Sequence, residues 1–339
     1  MAVIKAKPEK FMPFLLPLVR RRLIIPEMVV RVAEDTFKGA QGDTVTMRVN
    51  GLHTVARKYE FRTRTAPIVL DDIQGEGGIP VKLDTHTYSA TGLTDEQMTL
   101  DEIGWLTDVM EPQATAVAND LEKDVADTFQ NELLTRYSID FAHGDDPYLV
   151  AVEAQRILDG QRGLVPADGR FWLVGTNVAA SILAHDRVSK SSEGTNAMAE
   201  SALHRAEIAN IAGFRVVKSL EVDPNFSVFM HKSALVLGTV APVAPRGASQ
   251  SAKISKDGFG MRWIADYDAN FLRDRSIVSM FSGLTPVYDE RIGGDGTDRY
   301  NLKPLESYTM VGDDVPKTFR AIKVNFTPAA GGSVIPAAA

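Results

Sequence analysis

At 339 residues, with 44% hydrophobic and 24% charged residues, the chain is long enough for two or three domains around a large core, and its composition is that of an ordinary globular protein. It contains no cysteine, which excludes thiol catalysis, disulfides and cysteine-ligated zinc. The net charge of −7 hides an asymmetry: residues 1–66 carry 13 Lys/Arg against 6 Asp/Glu, while residues 67–147 carry 3 against 18. Blocks of opposite sign in one chain point to docking of one on the other, within a molecule or between copies. The basic block has neither a basic helix nor a stacking aromatic motif, which argues against sequence-specific nucleic-acid binding.

Residues 1–43 read as an arm with little to bury alone. Lys5, Lys7 and Lys10 precede the apolar Phe11–Val19 in the manner of a signal peptide. Pro13 and Pro17 interrupt that run, Arg20, Arg21 and Arg22 close it, and no small-residue cleavage site follows. No apolar run is long enough to span a membrane. Val45, Met47 and Val49 alternate with polar residues as in a strand. Residues 53–90 read as a long β-hairpin. Lys58, Glu60, Arg62 and Arg64 form a charged face, Gly75–Gly78 the tip, and Val81, Leu83, Thr85 and Thr87 alternate on the return. A hairpin with so few apolar residues cannot hold itself together in water and is expected to lie across another surface.

Thr99–Tyr137 reads as one long amphipathic helix. Ile103, Leu106, Met110, Ala114, Val117, Leu121, Val125, Phe129, Leu133 and Tyr137 recur at spacings of three or four on one stripe. At 1.5 Å per residue it would run about 55–60 Å. Thr99 with Glu102 is a capping-box signal. Pro112 is expected to kink the helix near Val109–Met110, or to break it into a helix hairpin. The opposite face is acidic, with Asp120, Glu122 and Asp124 among its carboxylates.

Asp145-Asp146-Pro147 is a helix start, with Tyr148–Leu158 following. Phe171–Gly175 reads as a buried strand, Thr176 as the cap of a helix over Val178–Leu183, and Ser189–Asn196 as a mobile polar loop. Ala199–Leu203 begins a short helix. Ile208–Phe214 and Val216–Val217 bring a strand with Gly213 at a tight approach, and Val228–Met230 and Ala234–Val240 add apolar strand. Together these predict an alternating α/β segment over about 147–240. Met261–Ala265 and Ser276–Phe281 read as paired strands around a turn at Asp266-Tyr267-Asp268. Residues 285–339 are irregular apart from a late strand, Phe319–Phe326, and the tail beyond Thr327 is expected to be exposed.

Catalytic templates fail. Gly213 before Lys218-Ser219 is not a phosphate loop, because Val217 stands where glycine is needed. The six histidines are scattered. His143 with Asp145 and Asp146, and Asp266 with Asp268, offer weak metal or catalytic groupings, for which a loop and a turn are the simpler readings. Asp295 and Asp298 do not fit a calcium loop. Trp105, Trp172 and Trp263 read as core or interface anchors.

The order of several short motifs resembles the major capsid (coat) proteins of tailed bacteriophages with the HK-97-type fold, in the enteric-phage branch. These motifs are Gly42-Asp43-Thr44-Val45, Leu93-Thr94-Asp95, Val109-Met110-Glu111-Pro112-Gln113, Arg156-Ile157-Leu158, Val165-Pro166, Gly169–Val174, Ile211–Val216, and Asp266–Asp268 with Asp274-Arg275-Ser276. Ala209 departs from the glycine expected there. The resemblance implies an α+β fold in six parts. These are an N-terminal arm (1–50), an extended hairpin or E-loop (51–92), a peripheral domain with a long spine helix (93–146), an α/β axial domain (147–240), peripheral return strands (241–284) and a C-terminal extension (285–339).

It implies a non-catalytic virion subunit that assembles in the host cytoplasm into pentamers and hexamers of an icosahedral shell. Scaffolding, portal and decoration proteins are the partners so implied, with double-stranded DNA packaged by non-specific proximity and with no cofactor, metal or membrane. Some members of the family crosslink a lysine to an asparagine, but no partner for Lys58 can be matched and no crosslink is expected. The alternatives are a cellular nanocompartment shell of the same fold and a soluble enzyme using the His143–Asp146 or Asp266–Asp268 carboxylates. From the charge blocks, Arg20, Arg21, Arg22, Lys58, Arg62 and Arg64 are expected to meet Asp120, Glu122 and Asp124 of neighbouring subunits.

Overall fold

A computed structural model describes residues 23–32, 37, 44–49, 77–96, 105–160, 165–185, 210–245, 247–248, 250–256, 258–288, 290–292, 299–301 and 318–328. The expected charged face of the hairpin, the first turns of the predicted long helix, the Ser189–Asn196 loop, the Ala199–Leu203 helix and the end of the tail lie outside them.

A 3-10 turn at Pro26–Met28 leads into β1 (Val30–Val32). β2 (Thr44–Val49) pairs antiparallel with β3 (Gly77–Lys82), and this ribbon buries Val45, Ile79 and Val81. β4 (Thr85–Thr94) follows, and its partner is β13 (Arg273–Pro286), from Thr94 opposite Arg273 to Thr85 opposite Ser282. The expected return of the hairpin is thus divided: from Thr85 on it belongs, as β4, to a large sheet that supplies the buried face it lacks alone.

The long helix is present but shorter than expected. Trp105–Met110 is π-helical, α1 (Glu111–Asp127) is regular, and Thr128–Glu132 is again π-helical. Pro112 sits in the first turn of α1, where its missing N–H removes no α-helical bond, and the wide π-turn stands before it instead of a break. Ala114, Val117, Ala118, Leu121, Val125 and Ala126 are buried along one stripe. Leu133 turns extended and ends the helix, so Tyr137 lies on β5 (Thr135–Ala142), a strand absent from the sequence reading.

α2 (Pro147–Asp159) starts as expected, with Asp146 Oδ1 accepting from Tyr148 N across 2.9 Å. β6 (Arg170–Val174) leads to α3 (Thr176–Ala184), whose cap residue is Gly175 and not Thr176. β7 (Asn210–Ile211) and β8 (Phe214–Lys218) form a hairpin over Ala212 and Gly213, with φ of 45° and 82°. A Cβ on Gly213 would meet nothing within 4 Å, so the glycine serves its positive φ and not the close approach expected of it.

β9 (Phe226–His231), β10 (Leu235–Val240), β11 (Gln250–Lys256) and β12 (Phe259–Asp268) precede β13. Asp266–Asp268 end β12 as strand residues, and the turn follows them at 269–272. β14 (Glu290–Ile292) pairs with β15 (Arg299–Asn301), and β16 (Thr318–Thr327) covers the expected late strand.

Two six-stranded sheets result. The first runs β1-β10-β13-β12-β11, with β4 also on β13. The second runs β5-β16-β9-β6-β8-β7. The second sheet therefore takes in β5 and β16 from outside residues 147–240, while β10 from inside that span joins the first. One core joins the buried stripe of α1 to the first sheet and to Leu173, Val228 and Met230 of the second. Another lies between the second sheet and α2 and α3, where Trp172 stacks on Phe229 at 4.4 Å and donates Nε1 to Ser227 Oγ across 2.8 Å.

Candidate functional site

α1 carries Glu111, Asp120, Glu122, Asp124 and Asp127 against Lys123, so the site is built from there. β13 and β4 keep an unbroken register, and side chains alternate along both. Ser276, Val278 and Met280 on β13, with Thr87 and Ser89 on β4, share the face toward α1. Four hydrogen bonds among the described residues fix the helix there, one of them from Gln113 Nε2 to the Ser89 carbonyl (3.4 Å). Ser276 Oγ donates to Gln113 Oε1 (2.7 Å), Gln113 Nε2 donates to the Ser276 carbonyl (2.8 Å), and Thr87 Oγ1 donates to Asp120 Oδ2 (3.0 Å).

Of the acidic residues predicted to meet neighbours, Asp120 is exposed and Asp124 half-buried on one side of α1, one helical turn apart. Glu122 is a correction. Only 5% exposed, it faces its own chain: Oε2 accepts from Ile24 N (2.8 Å) and Oε1 from Ile25 N (3.0 Å). Two residues from Asp120 and from Asp124 on a helix is slightly more than a half-turn, so the three cannot share a face. Burial pushes the Glu122 carboxyl up; the two N–H groups oppose that, and Glu221 and Glu27 add to it. Arg20, Arg21, Arg22, Lys58, Arg62 and Arg64 lie outside the described residues.

Where the end of α1 leaves the sheet, a cavity of about 240 Å³ opens between Asp124, Asp127 and Glu132 on one side and Asp84, Thr85 and Ser282 on the other. Burial raises the Asp124 carboxyl, and Asp120 and Asp127 raise it further against the opposing pull of Lys123. Ser282 has no counterpart in the sequence reading. Its even-numbered place after Val278 and Met280 is the signal that puts it on the helix face.

The alternative catalytic groupings are engaged in local structure. His143 Nδ1 lies 3.0 Å from Ser181 Oγ, Asp145 accepts from Ala142 N (2.7 Å), and Asp146 caps α2. Asp266 pairs with Arg275 at 3.1 Å, and Asp268 lies 3.8 Å from Arg275 and 3.9 Å from Arg273. Among the described residues no group of three or more His, Asp or Glu is placed to hold a metal ion, and no helix is long and apolar enough to cross a membrane. Trp172 and Trp263 are core residues as expected, at 0% and 4% exposure.

Residues 78–280 match the model of a family described as phage capsid protein, a span from β3 into β13 that includes α1. No curated protein matches. Among solved structures, the chain is similar to one from Mycobacterium phage Che8, at 17% identity over 89% of this chain and 91% of that one, with a TM-score of 0.56. It is also similar to the capsid structure of the cyanophage P-SCSP1u, at 11% identity over 91% and 89%, with a TM-score of 0.54.

Proposed function

The chain belongs to the phage capsid protein family and is a major capsid protein, a self-associating structural subunit of the virion; from that premise we propose that its copies close into an icosahedral shell of pentamers and hexamers around the double-stranded DNA of a tailed bacteriophage. The observation that carries the reading is the family match across residues 78–280, which takes in the long helix and strands of both sheets. Assembly in the host cytoplasm with scaffolding, portal and decoration proteins belongs to the same proposal. An acidic subunit suits a container that encloses DNA without gripping it.

Within the subunit, the second sheet with α2 and α3 is the axial unit, and the first sheet with α1 is the peripheral one. Within residues 1–50 and 51–92, the stretches before Leu23 and before β3 serve as the arm and as the loop reaching a neighbour, while β1 and β4 stay with the first sheet. The contacts of this reading run from Arg20, Arg21, Arg22, Lys58, Arg62 and Arg64 of one copy to Asp120 and Asp124 of the next, with Glu122 withdrawn from the set. Exposure of Asp120 and the excess of acid along α1 support it.

Expression of the full chain, alone and with its scaffold, followed by sedimentation and negative-stain microscopy, tests the assembly. Shells or capsomers are expected. A folded monomer at every concentration overturns the reading.

A further inference from the structure

The corner cavity holds a feature that the shell reading does not require. Ser282 is only 2% exposed, yet its Oγ has no hydrogen-bond partner among the described residues. Such a buried hydroxyl is normally satisfied, and leaving it bare costs about 1–3 kcal/mol. Strand parity turns it toward α1, and Thr85, directly opposite it on β4, shares that face. Asp84, Asp124, Asp127 and Glu132 rim the same cavity, and three of the four are exposed, so the cavity opens to solvent. Four carboxylates around one unsatisfied hydroxyl form a concave site with a strong negative field, and no cation lines it among the described residues, Lys123 being the charge that opposes it at Asp124.

We infer that this cavity is a binding site for an organic cation head, a guanidinium or alkylammonium group, held by the carboxylates of Asp124 and Asp127 and by Ser282 Oγ. A divalent metal fits less well, because no three carboxylates converge on one point. A volume of about 240 Å³ exceeds what a bare ion needs and accommodates a planar guanidinium with its first methylenes. The guanidinium fork donates to several oxygens at once, which matches a rim of separated carboxylates plus one hydroxyl. Burial first, and then the crowding of Asp120, Asp127 and Asp84 against the pull of Lys123, raise the Asp124 carboxyl, as expected of a partly desolvated corner with an excess of acid. The head has two sources: an arginine or lysine of a second copy, or a free amine from solution. The inference rests on the proposed function only for the first of these.

The test titrates the full-length unassembled chain with n-butylguanidinium chloride, reading thermal unfolding at constant ionic strength, with sodium and magnesium chlorides as controls. A saturable rise in midpoint with the guanidinium probe beyond both controls is expected. Asp124→Asn with Asp127→Asn should abolish it. Ser282→Ala should fold at least as well as the parent, having lost an unsatisfied hydroxyl, yet bind the probe about tenfold more weakly. Equal responses from the parent and the Asp124→Asn/Asp127→Asn chain overturn the site, as does a magnesium response equal to that of the probe.

Assembled shells separate the sources. Binding by free subunits but not by shells assigns the head to a second copy, and binding by both assigns a free cation. A chain that forms no shells defeats the proposed function and leaves the subunit titration intact.

Discussion

Gln113 and Ser276 hold each other reciprocally: the Ser276 hydroxyl donates to the Gln113 side-chain carbonyl, and the Gln113 amide donates back to the Ser276 main-chain carbonyl. Trp263 Nε1 donates to the same hydroxyl across 2.8 Å. The first turn of α1 is thereby tied to the centre of the first sheet through groups buried from water. Such a network is strong when complete and costly when broken.

Gln113→Ala therefore leaves Ser276 short of partners inside the core. A loss of about 1–3 kcal/mol is expected. Denaturant unfolding of the subunit followed by tryptophan fluorescence checks it, since Trp263 shares the network. Ser276→Ala should cost a similar amount. The double variant should cost less than the sum, because both changes break the same bonds.

The buried stripe of α1 was legible because its partners lie on one side, which the three-to-four spacing records. The end of the helix was not. Leu133 and Tyr137 continue that spacing by coincidence, while Tyr137, Ile139 and Phe141 alternate with exposed Arg136, Ser138 and Asp140, a strand signal that overlaps it. Glu122 was misread because its charge suggested solvent. Its neighbours at four-residue spacing are Ala118 and Ala126, small residues that let another segment approach, and that segment is Leu23–Val29. The allocation of strands to sheets was beyond local pattern, since apolar β10 reads alike in either sheet. The cavity needed the strand register, which no single segment encodes.

Glu122→Ala should free the segment that its carboxylate clasps. Ile24 N and Ile25 N would lose their acceptor, and hydrogen exchange at those two amides should quicken well beyond that of α1. Burial raises the carboxyl above its unfolded value, so the folded chain takes up this proton more readily than the unfolded one. At this residue, stability falls as pH rises through that range. Glu122→Gln should remove the pH dependence while keeping one acceptor oxygen.

His231 has the opposite sign. Burial, with Arg320, Lys232 and Arg170 nearby, lowers its pKa to about 4, although the Asp168 carbonyl pulls the other way. Below its unfolded value of 6.5 the unfolded state binds the proton and the folded state does not. Stability is then fully present above pH 6.5 and falls on acidification toward pH 4, with a slope of up to about 1.4 kcal/mol per pH unit. Unfolding midpoints measured across that window should show the decline, and His231→Asn should flatten it.

Gly283→Ala should be among the most damaging single methyl additions. Its Cβ would collide with the Lys82 carbonyl, where the backbone between β3 and β4 crosses β13. Main chain cannot yield as a side chain can, so a cost of about 1–3 kcal/mol or more is expected. Calorimetry of the subunit checks the value, and Gly213→Ala provides a contrast. That change has free space for the methyl and is opposed only by a φ of 82°.

Charge reversal at Arg62 and Arg64 tests the proposed contacts between copies. The segment carrying Lys58, Arg62 and Arg64 is basic, while residues 67–147 hold 18 carboxylates against 3 cations. Asp120, exposed, and Asp124, half-buried, stand at the edge where α1 meets β4, and a neighbour would reach them there. An exposed pair contributes only about 0.2–1 kcal/mol, so one such contact would not hold two subunits together. Repetition over every interface of a closed shell makes the sum large while single contacts remain exchangeable. Salt should weaken assembly accordingly, as the screening length falls from about 10 Å at 0.1 M to about 3 Å at 1 M. If these arginines face neighbours, Arg62→Glu with Arg64→Glu should abolish empty-shell assembly in the absence of DNA. If they face the packaged genome, the same variant should form normal empty shells and fail only at packaging. Light scattering of the purified variant without nucleic acid distinguishes the two, and normal empty shells would remove these arginines from the subunit interface.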